Sequence, residues 1–347
     1  MKTNQTNFKH GFSFWFKRIL AGLLILIVLS VATIFAGGAI VRAQARANYP
    51  PPGQLVDVGG YKLHIHCVGE GSPTVVLLSG SAVQSPYWWI VQNKAANTTR
   101  VCAYDRAGYA WSEEGTDDLS PRGQVEDLKA LLSNAGIEPP YVLAGHSYGG
   151  YIARLYAQTY SDEVVGLVMI DSSHEEQFVR FPEEIQARGR RMFTGPNSPV
   201  RVFLVGLLGS LQALLPTGRH EAEKYLPSDV VETVYALRKL HPYMLLTIKA
   251  EVSEMVLGQS PRVTDLGNLP MIVISHGIPT PATDQTEEVN AEYEQLHREM
   301  QKELLAISTQ SRQMIAEESN HDEIPLKQAD LVVQAIQDVM TQAVASR

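Results

Sequence analysis

The chain has 347 residues, of which 45% are apolar and 19% are charged, and its formal net charge is −8. This composition excludes a wholly disordered chain. The acidic balance disfavours nucleic-acid binding, because phosphate groups carry the same sign of charge. Two cysteines are too few for a disulfide-rich scaffold or a four-cysteine zinc site. The length suits one large domain or two modest ones.

The N-terminal segment predicts export. All charged residues among the first 46 are basic, namely Lys2, Lys9, Lys17, Arg18, Arg42 and Arg46. Between them Ile19–Val41 is uncharged, and as a helix it would measure about 34 Å, enough to cross a hydrocarbon core of about 30 Å. The excess of positive charge precedes this run, so we expect residues 1–18 in the cytoplasm, a transmembrane anchor over 19–41 and the catalytic domain outside.

The alternative is a secreted protein whose signal peptide is cleaved at Ala43-Gln44-Ala45. A signal peptide would usually have a shorter apolar core than this one, which favours the anchor. Residues 42–53 end in Tyr49-Pro50-Pro51-Pro52-Gly53 and are expected to form a proline-rich linker.

Strands alternate with helices from residue 54 onward. Apolar runs bounded by turn residues predict strands over 54–59, 61–68, 73–78, 100–104, 141–144, 164–170, 271–275 and 313–316. Apolar stripes at helical spacing predict helices over 121–132, 151–160 and 331–343. The alternation predicts an α/β fold with a mostly parallel eight-stranded sheet that is covered by helices on both faces.

Residues 175–268 interrupt this alternation, because they carry helical signals only. We expect a helical cap there, inserted between a first core part (54–174) and a second (269–347). The cap would lie at the carboxyl edge of the sheet, where ligands bind in open α/β sheets. Within it Val200–Leu215 is nearly all apolar and too short to span a bilayer, so we expect a buried cap helix. The alternative is a lid that lines an acyl pocket or dips into the membrane surface.

The segment Gly145-His146-Ser147-Tyr148-Gly149 matches the pattern G-x-S-x-G. A predicted strand precedes the motif and a predicted helix follows it, which is the arrangement of a nucleophile elbow. The glycines leave room for a strained turn, and the helix N-terminus favours negative charge that develops beside it. We therefore predict that Ser147 is a nucleophile.

The chain resembles the α/β-hydrolase fold family over about residues 54–347. The resemblance rests on this motif, on Ser79-Gly80-Ser81 after the third strand and on Asp105-Arg106-Ala107-Gly108 after the fourth. The resemblance implies a triad in the order serine, acid, histidine. It also implies an oxyanion hole made by two backbone N–H groups, here those of Ser81 and Tyr148. No metal or organic cofactor is implied.

The resemblance has two further consequences. In the family's sheet order the strands that carry Cys67 and Cys102 are neighbours, so a disulfide is expected to be geometrically feasible in an exported domain. Many members have His-Gly where this chain has Ser79-Gly80, which argues against epoxide hydrolases. A serine at the nucleophile position argues against both epoxide hydrolases and haloalkane dehalogenases.

The base and the acid follow from position in the chain. His321 comes after the last strand, on a loop expected at the same edge as Ser147, and is the predicted base. Asp171 ends the sixth strand and is the predicted acid. The stretch after the seventh strand, where the family usually carries its acid, holds proline and threonine here. Asp284 is the first acidic residue beyond that stretch and is therefore the alternative acid. His276 follows a strand and is near enough to approach the site, but its chain position does not suit the base.

These residues predict a membrane-tethered serine hydrolase that cleaves a carboxylic ester through an acyl-enzyme. Trp88, Trp89 and the apolar cap suggest a hydrophobic acyl group on a small-molecule substrate. Enzymatic alternatives on the same fold are an aminopeptidase-like amidase, a carbon–carbon bond hydrolase and an acyltransferase. An alternative of another class is a non-catalytic receptor or scaffold. The sequence does not indicate the natural substrate or the oligomeric state.

Overall fold

A computed structural model describes residues 6–115, 118–216, 224–280 and 285–345. Its centre is an eight-stranded sheet of order β1-β2-β4-β3-β5-β6-β7-β8. Strands β1 and β2 are antiparallel to their neighbours and the other pairs are parallel. The strands are β1 (Gln54–Asp57), β2 (Lys62–Val68), β3 (Thr74–Leu78), β4 (Val101–Asp105), β5 (Tyr141–His146), β6 (Val164–Ile170), β7 (Met271–His276) and β8 (Ser311–Ala316). The predicted fold class is confirmed.

Helices cover both faces of the sheet, as a parallel sheet requires. The helices are α1 (Thr6–Asn48), α2 (Trp89–Ala95), α3 (Pro121–Asn134), α4 (Tyr148–Thr159), α5 (Gln177–Arg180), α6 (Glu183–Phe193), α7 (Pro199–Leu214), α8 (Ser228–Leu237), α9 (Met244–Val256), α10 (Glu287–Leu305), α11 (Ile324–Lys327) and α12 (Ala329–Ala345). Apolar residues of α3, α4 and α10 pack on one face of the sheet, and those of α2 and α12 pack on the other. Strands β3 and β5 are buried along their whole length, which explains their uninterrupted apolar runs.

The long helix α1 contains the segment Phe14–Asn48, which is long and apolar enough to cross a membrane. The helix continues through Asn48 and ends just before Pro50, the first of three consecutive prolines, since proline disfavours helix in the residue that precedes it. Residues 42–48 are therefore helical, and the non-helical proline-rich part is limited to residues 49–53. Near its C-terminal end Ala45 packs among buried residues of the body.

Five helices, α5 to α9, lie between β6 and β7 in the chain, which is the region expected to form the cap. The expected burial of Val200–Leu215 is not observed. Val200 is 67% exposed and Leu208 is 57% exposed, while Gly206 and Ser210 on another side of α7 are buried. Helix α7 thus buries only part of its apolar surface.

The register of β2 and β4 places Cys67 directly opposite Cys102. The two cysteines are joined by a disulfide in this structure. Because β4 lies in the interior of the sheet and β2 lies near its edge, this bond ties the antiparallel edge of the sheet to its parallel centre.

Candidate active site

Ser147 occupies a sharp turn between β5 and α4. Its backbone has φ 52° and ψ −124°, a conformation that costs a residue with a side chain about 1–3 kcal/mol. The N–H of Ser147 donates to the carbonyl of Ile170, and the carbonyl of Ser147 accepts from Gly150 and Ser173. These bonds to the end of the neighbouring strand hold the strained turn in place. The side chain of Ser147 remains partly exposed.

Two glycines of the motif are required by close backbone contacts. A Cβ on Gly149 would lie 2.2 Å from the carbonyl oxygen of Leu78, and a Cβ on Gly145 would lie 2.4 Å from the carbonyl oxygen of Gly149. Both distances are far below van der Waals contact with backbone atoms that cannot move aside. The pattern G-x-S-x-G therefore has a steric cause in this chain.

The loop after β3 lies against the turn that carries Ser147. A Cβ on Gly80 would lie 3.1 Å from Cβ of Ser147. Ser81 follows on this loop, and Tyr148 is the first residue of α4. The first N–H groups of a helix have no acceptor within the helix, so the N–H of Tyr148 is available to an incoming oxygen.

A buried ion pair anchors this loop to the cap. The guanidinium of Arg106 donates to the carbonyl oxygens of Ser79 and Gly80 and to the carboxylate of Glu251 on α9. Glu251 also accepts hydrogen bonds from the hydroxyls of Ser81 and Tyr109. Arg106 and Glu251 are both almost completely buried. The orientation of the loop thus depends on a residue of the cap.

His321 lies on the loop after β8, and its ring contacts Asp171. The Nδ1 of His321 is 2.5 Å from Oδ2 of Asp171, which is fully buried at the end of β6. His321 is also in ring contact with His146 of the motif, with the centroids 4.7 Å apart. The Oγ of Ser147 forms no hydrogen bond with His321 among the described residues. Catalytic hydrogen bonds are often long in ligand-free structures.

Asp171 accepts four hydrogen bonds. Its Oδ2 accepts from Nδ1 of both His276 and His321, and its Oδ1 accepts from the backbone N–H of His276 and from Nε2 of His297. The Nε2 of His276 contacts Glu294 at 2.9 Å. Asp171 also has φ 44°, a second strained backbone position.

His297 and Glu294 also belong to this cluster, and nothing in the sequence predicts it. They lie three residues apart on α10, a helix for which no expectation was made. His276 was noted as near the site, and the structure shows that it contacts the acid. No sequence motif marks these residues, since only the packing of α10 against β7 brings them to Asp171.

The cluster shifts the pKa values of its members. Burial alone would raise the pKa of Asp171, but the interactions with His297, His276 and His321 outweigh it and hold the pKa well below its usual range. Burial alone would lower the pKa of His321. The hydrogen bond to Asp171 and the charge of Asp171 raise this pKa by more than burial lowers it, so the net shift is upward. The same balance against two carboxylates raises the pKa of His276 to about 10.

His146 differs from these histidines. Burial, followed by the proximity of His321, lowers the pKa of His146 to about 4. Its Nε2 is 2.9 Å from the carbonyl oxygen of His321 and, because that atom can only accept, Nε2 carries the proton. His146 therefore positions the histidine loop as a neutral ring.

Among the described residues, one group has side-chain atoms close enough together to hold a metal ion. These atoms belong to Asp171, His276 and His297 and lie within 4.8 Å of one another. Each of the two histidines already has Asp171 as a hydrogen-bond partner. These bonds account for the cluster without a metal. The alternative acid, Asp284, lies outside the described residues.

A cavity of about 270 Å³ lies beside the loop after β3 and the nucleophile motif. Its lining includes Ser81, His146 and Asp322, the neighbour of His321. Trp88 contributes an apolar wall, whereas Arg238 of the segment that follows α8 contributes a cation. Trp89, which was expected to serve the same acyl site, lines a different cavity, with His64 and His66. The cavity is therefore of mixed polarity.

Comparisons with known proteins agree with this architecture. A sequence model described as the alpha/beta hydrolase fold matches residues 73–209. The uncharacterized protein YbdG of Bacillus subtilis is 28% identical over 184 residues, which are 51% of this chain and 57% of YbdG. The chain thus spans little more than half the length of this relative.

Among solved structures, an esterase from Thermogutta terrifontis is 22% identical with a TM-score of 0.53, and covers 83% of this chain and 97% of its own. An epoxide hydrolase from Bacillus megaterium is 18% identical with a TM-score of 0.58, and covers 84% of this chain and 100% of its own. At these identities the likeness shows the fold. Together, the sheet order, the family match and the structural neighbours show that the chain has the α/β-hydrolase fold.

Proposed function

We propose that this protein is a serine hydrolase that cleaves carboxylic esters through an acyl-enzyme. The observation that carries the proposal is the strained turn at Ser147, whose motif neighbour His146 is in ring contact with His321 of a histidine–aspartate pair. The family match and the esterase and epoxide hydrolase neighbours support a hydrolase. Serine rather than aspartate at position 147 favours the esterase over the epoxide hydrolase chemistry.

In this proposal Ser147 attacks the ester carbonyl while Nε2 of His321 takes its proton. Asp171 holds Nδ1–H of His321, which leaves Nε2 free to accept and stabilises the imidazolium that forms. The N–H groups of Ser81 and Tyr148 donate to the oxygen that becomes negative. His321 then protonates the leaving alcohol, and water releases the acyl group by the reverse sequence.

The acyl group is proposed to be hydrophobic, since Trp88 lines the cavity beside Ser81. We further propose that α1 anchors the enzyme in a membrane, with the catalytic domain on the outer side. The supporting observations are the apolar segment of α1 and the basic residues that precede it. Cleavage as a signal peptide is the alternative fate of this segment. A tag at the N-terminus that is retained in the membrane fraction would support the anchor.

The test is labelling of the full-length protein in detergent or vesicles with a fluorophosphonate probe. We expect labelling of the wild type and of Ser210→Ala, which removes a buried serine outside the motif, and complete loss of labelling in Ser147→Ala. Hydrolysis of p-nitrophenyl esters should be lost in the same variant. A folded wild-type protein that resists the probe would instead indicate a non-catalytic receptor or scaffold on this fold.

A further inference from the structure

Helix α7 presents an uncovered apolar stripe. Val200, Leu204, Leu208 and Leu211 are 67%, 48%, 57% and 38% exposed and follow one another at helical spacing. The helix has one charged residue, Arg201, at its N-terminal end, where the guanidinium binds backbone carbonyl groups. Soluble proteins seldom expose contiguous apolar surface of this kind without a partner.

Another side of the same helix packs against α1. The rings of Phe35 and Phe203 are in contact, with their centroids 5.9 Å apart. A Cβ on Gly38 would lie 3.0 Å from Cβ of Ser210, so the absence of a side chain there lets the two helices approach closely. Before residue 31 the described side chains of α1 are exposed, and partial burial begins where α7 makes these contacts.

The contact with α1 fixes the depth of α7. A hydrocarbon core of about 30 Å takes about 20 helical residues. Any 20 residues chosen within Ile19–Val41 include Phe35 and leave it three to six residues from the outer end. That distance corresponds to about 5–9 Å below the membrane surface, which is the depth at which interfacial amphipathic helices bury their apolar faces.

We propose that α7 is a second membrane-contacting element, which lies in the outer interface of the bilayer that α1 crosses, with Leu204 and Leu208 among the acyl chains. The proposal rests on the proposed membrane span of α1. The lipid bilayer is the occupant that this surface fits, because α7 contacts Phe35, which lies within the apolar run proposed to cross the membrane.

The experiment uses the full chain with single cysteines introduced for labelling. The native cysteines are joined in a disulfide, so a thiol-reactive fluorophore will label only the new position. The test position is Leu208→Cys on α7. Leu26→Cys in the middle of α1 reports on the span, and Val344→Cys on α12 is a 71% exposed apolar control on the body. The labelled variants are reconstituted into vesicles of phosphatidylcholine and phosphatidylglycerol.

Two quenchers are compared, a nitroxide on the lipid acyl chain and iodide in the water. We expect the fluorophores at positions 208 and 26 to be quenched by the lipid nitroxide and protected from iodide at least several-fold relative to position 344. Iodide quenching at 208 that equals the quenching at 344 would overturn the inference. Protection of 208 from both quenchers would also overturn it, because a protein partner, such as a second copy, would then cover α7.

The control at position 26 separates this inference from the proposed span. If position 26 is quenched by lipid and position 208 is not, α1 crosses the membrane and α7 does not touch it. If neither position is quenched by lipid, the span itself fails and the inference fails with it. Probe labelling of Ser147 is independent of both outcomes, so failure of the proposed hydrolase activity remains distinguishable.

Discussion

Asp171→Asn tests the proposed acid, because the four hydrogen bonds of the carboxylate define what the amide must do. The Oδ1 position accepts from the backbone N–H of His276, which cannot reverse its polarity. The amide oxygen of asparagine will therefore occupy the Oδ1 position, and its NH₂ group will face Nδ1 of His276 and of His321. An NH₂ group donates, so His321 must change tautomer and carry its proton on Nε2.

In that tautomer His321 cannot accept the proton of Ser147. We expect kcat for a p-nitrophenyl ester to fall by about 10⁴, equivalent to about 5.5 kcal/mol of transition-state stabilisation, with little change in KM. Initial rates on the full-length protein measure the effect, and a thermal melt checks that the variant is folded. The matched control is Asp284→Asn, for which we expect nearly full activity. The reasoning is refuted if Asp171→Asn stays within tenfold of the wild type while Asp284→Asn is inactive.

Three further predictions follow from the same contacts. Since His321 must be neutral to act and its pKa is raised, we expect kcat/KM to fall with decreasing pH through an apparent pKa above the usual value of about 6.5. Glu294→Gln should move this fall to higher pH, because the pKa of His276 drops without Glu294 and its ring is then less often the imidazolium that opposes protonation of His321. Glu251→Gln leaves a buried guanidinium without a counter-charge, so we expect about 3 kcal/mol lower unfolding free energy together with slower turnover, measured by denaturation and steady-state kinetics. Replacement of both Cys67 and Cys102 by alanine removes a cross-link over 35 residues and should cost about 4 kcal/mol in a urea titration.

Each of these predictions has a control. Glu292→Gln removes an exposed acid from the same helix as Glu294 and should leave the pH profile unchanged. Glu254→Gln on α9 should leave both the stability and the turnover near the wild-type values. A pH limb that moves downward in Glu294→Gln, or an unchanged melt in Glu251→Gln, would contradict the assigned contacts. Two titratable thiols in the unreduced wild type would contradict the disulfide.

The architecture could be predicted from local sequence patterns, because periodicity is a local property. Continuous apolar runs such as Val75–Leu78 occur where a strand is buried on both faces, and the glycines around Ser147 occur where backbone contact excludes a side chain. The fold class followed from these patterns without knowledge of any long-range contact. The expectation that the apolar helix of the cap is buried was wrong for its outer stripe, since composition does not tell which element covers a surface.

Which distant side chains meet depends on how whole helices and strands pack together. His297 contacts Asp171 and Glu294 contacts His276 because α10 packs beside β7. Arg106 contacts Glu251 because α9 of the cap lies over the loop after β3. Hydrogen bonds between residues more than 100 positions apart depend on the relative placement of whole elements, which no local pattern encodes. The same reason explains why the packing of α7 beside α1, with Phe35 in contact with Phe203, could not be read from either segment alone.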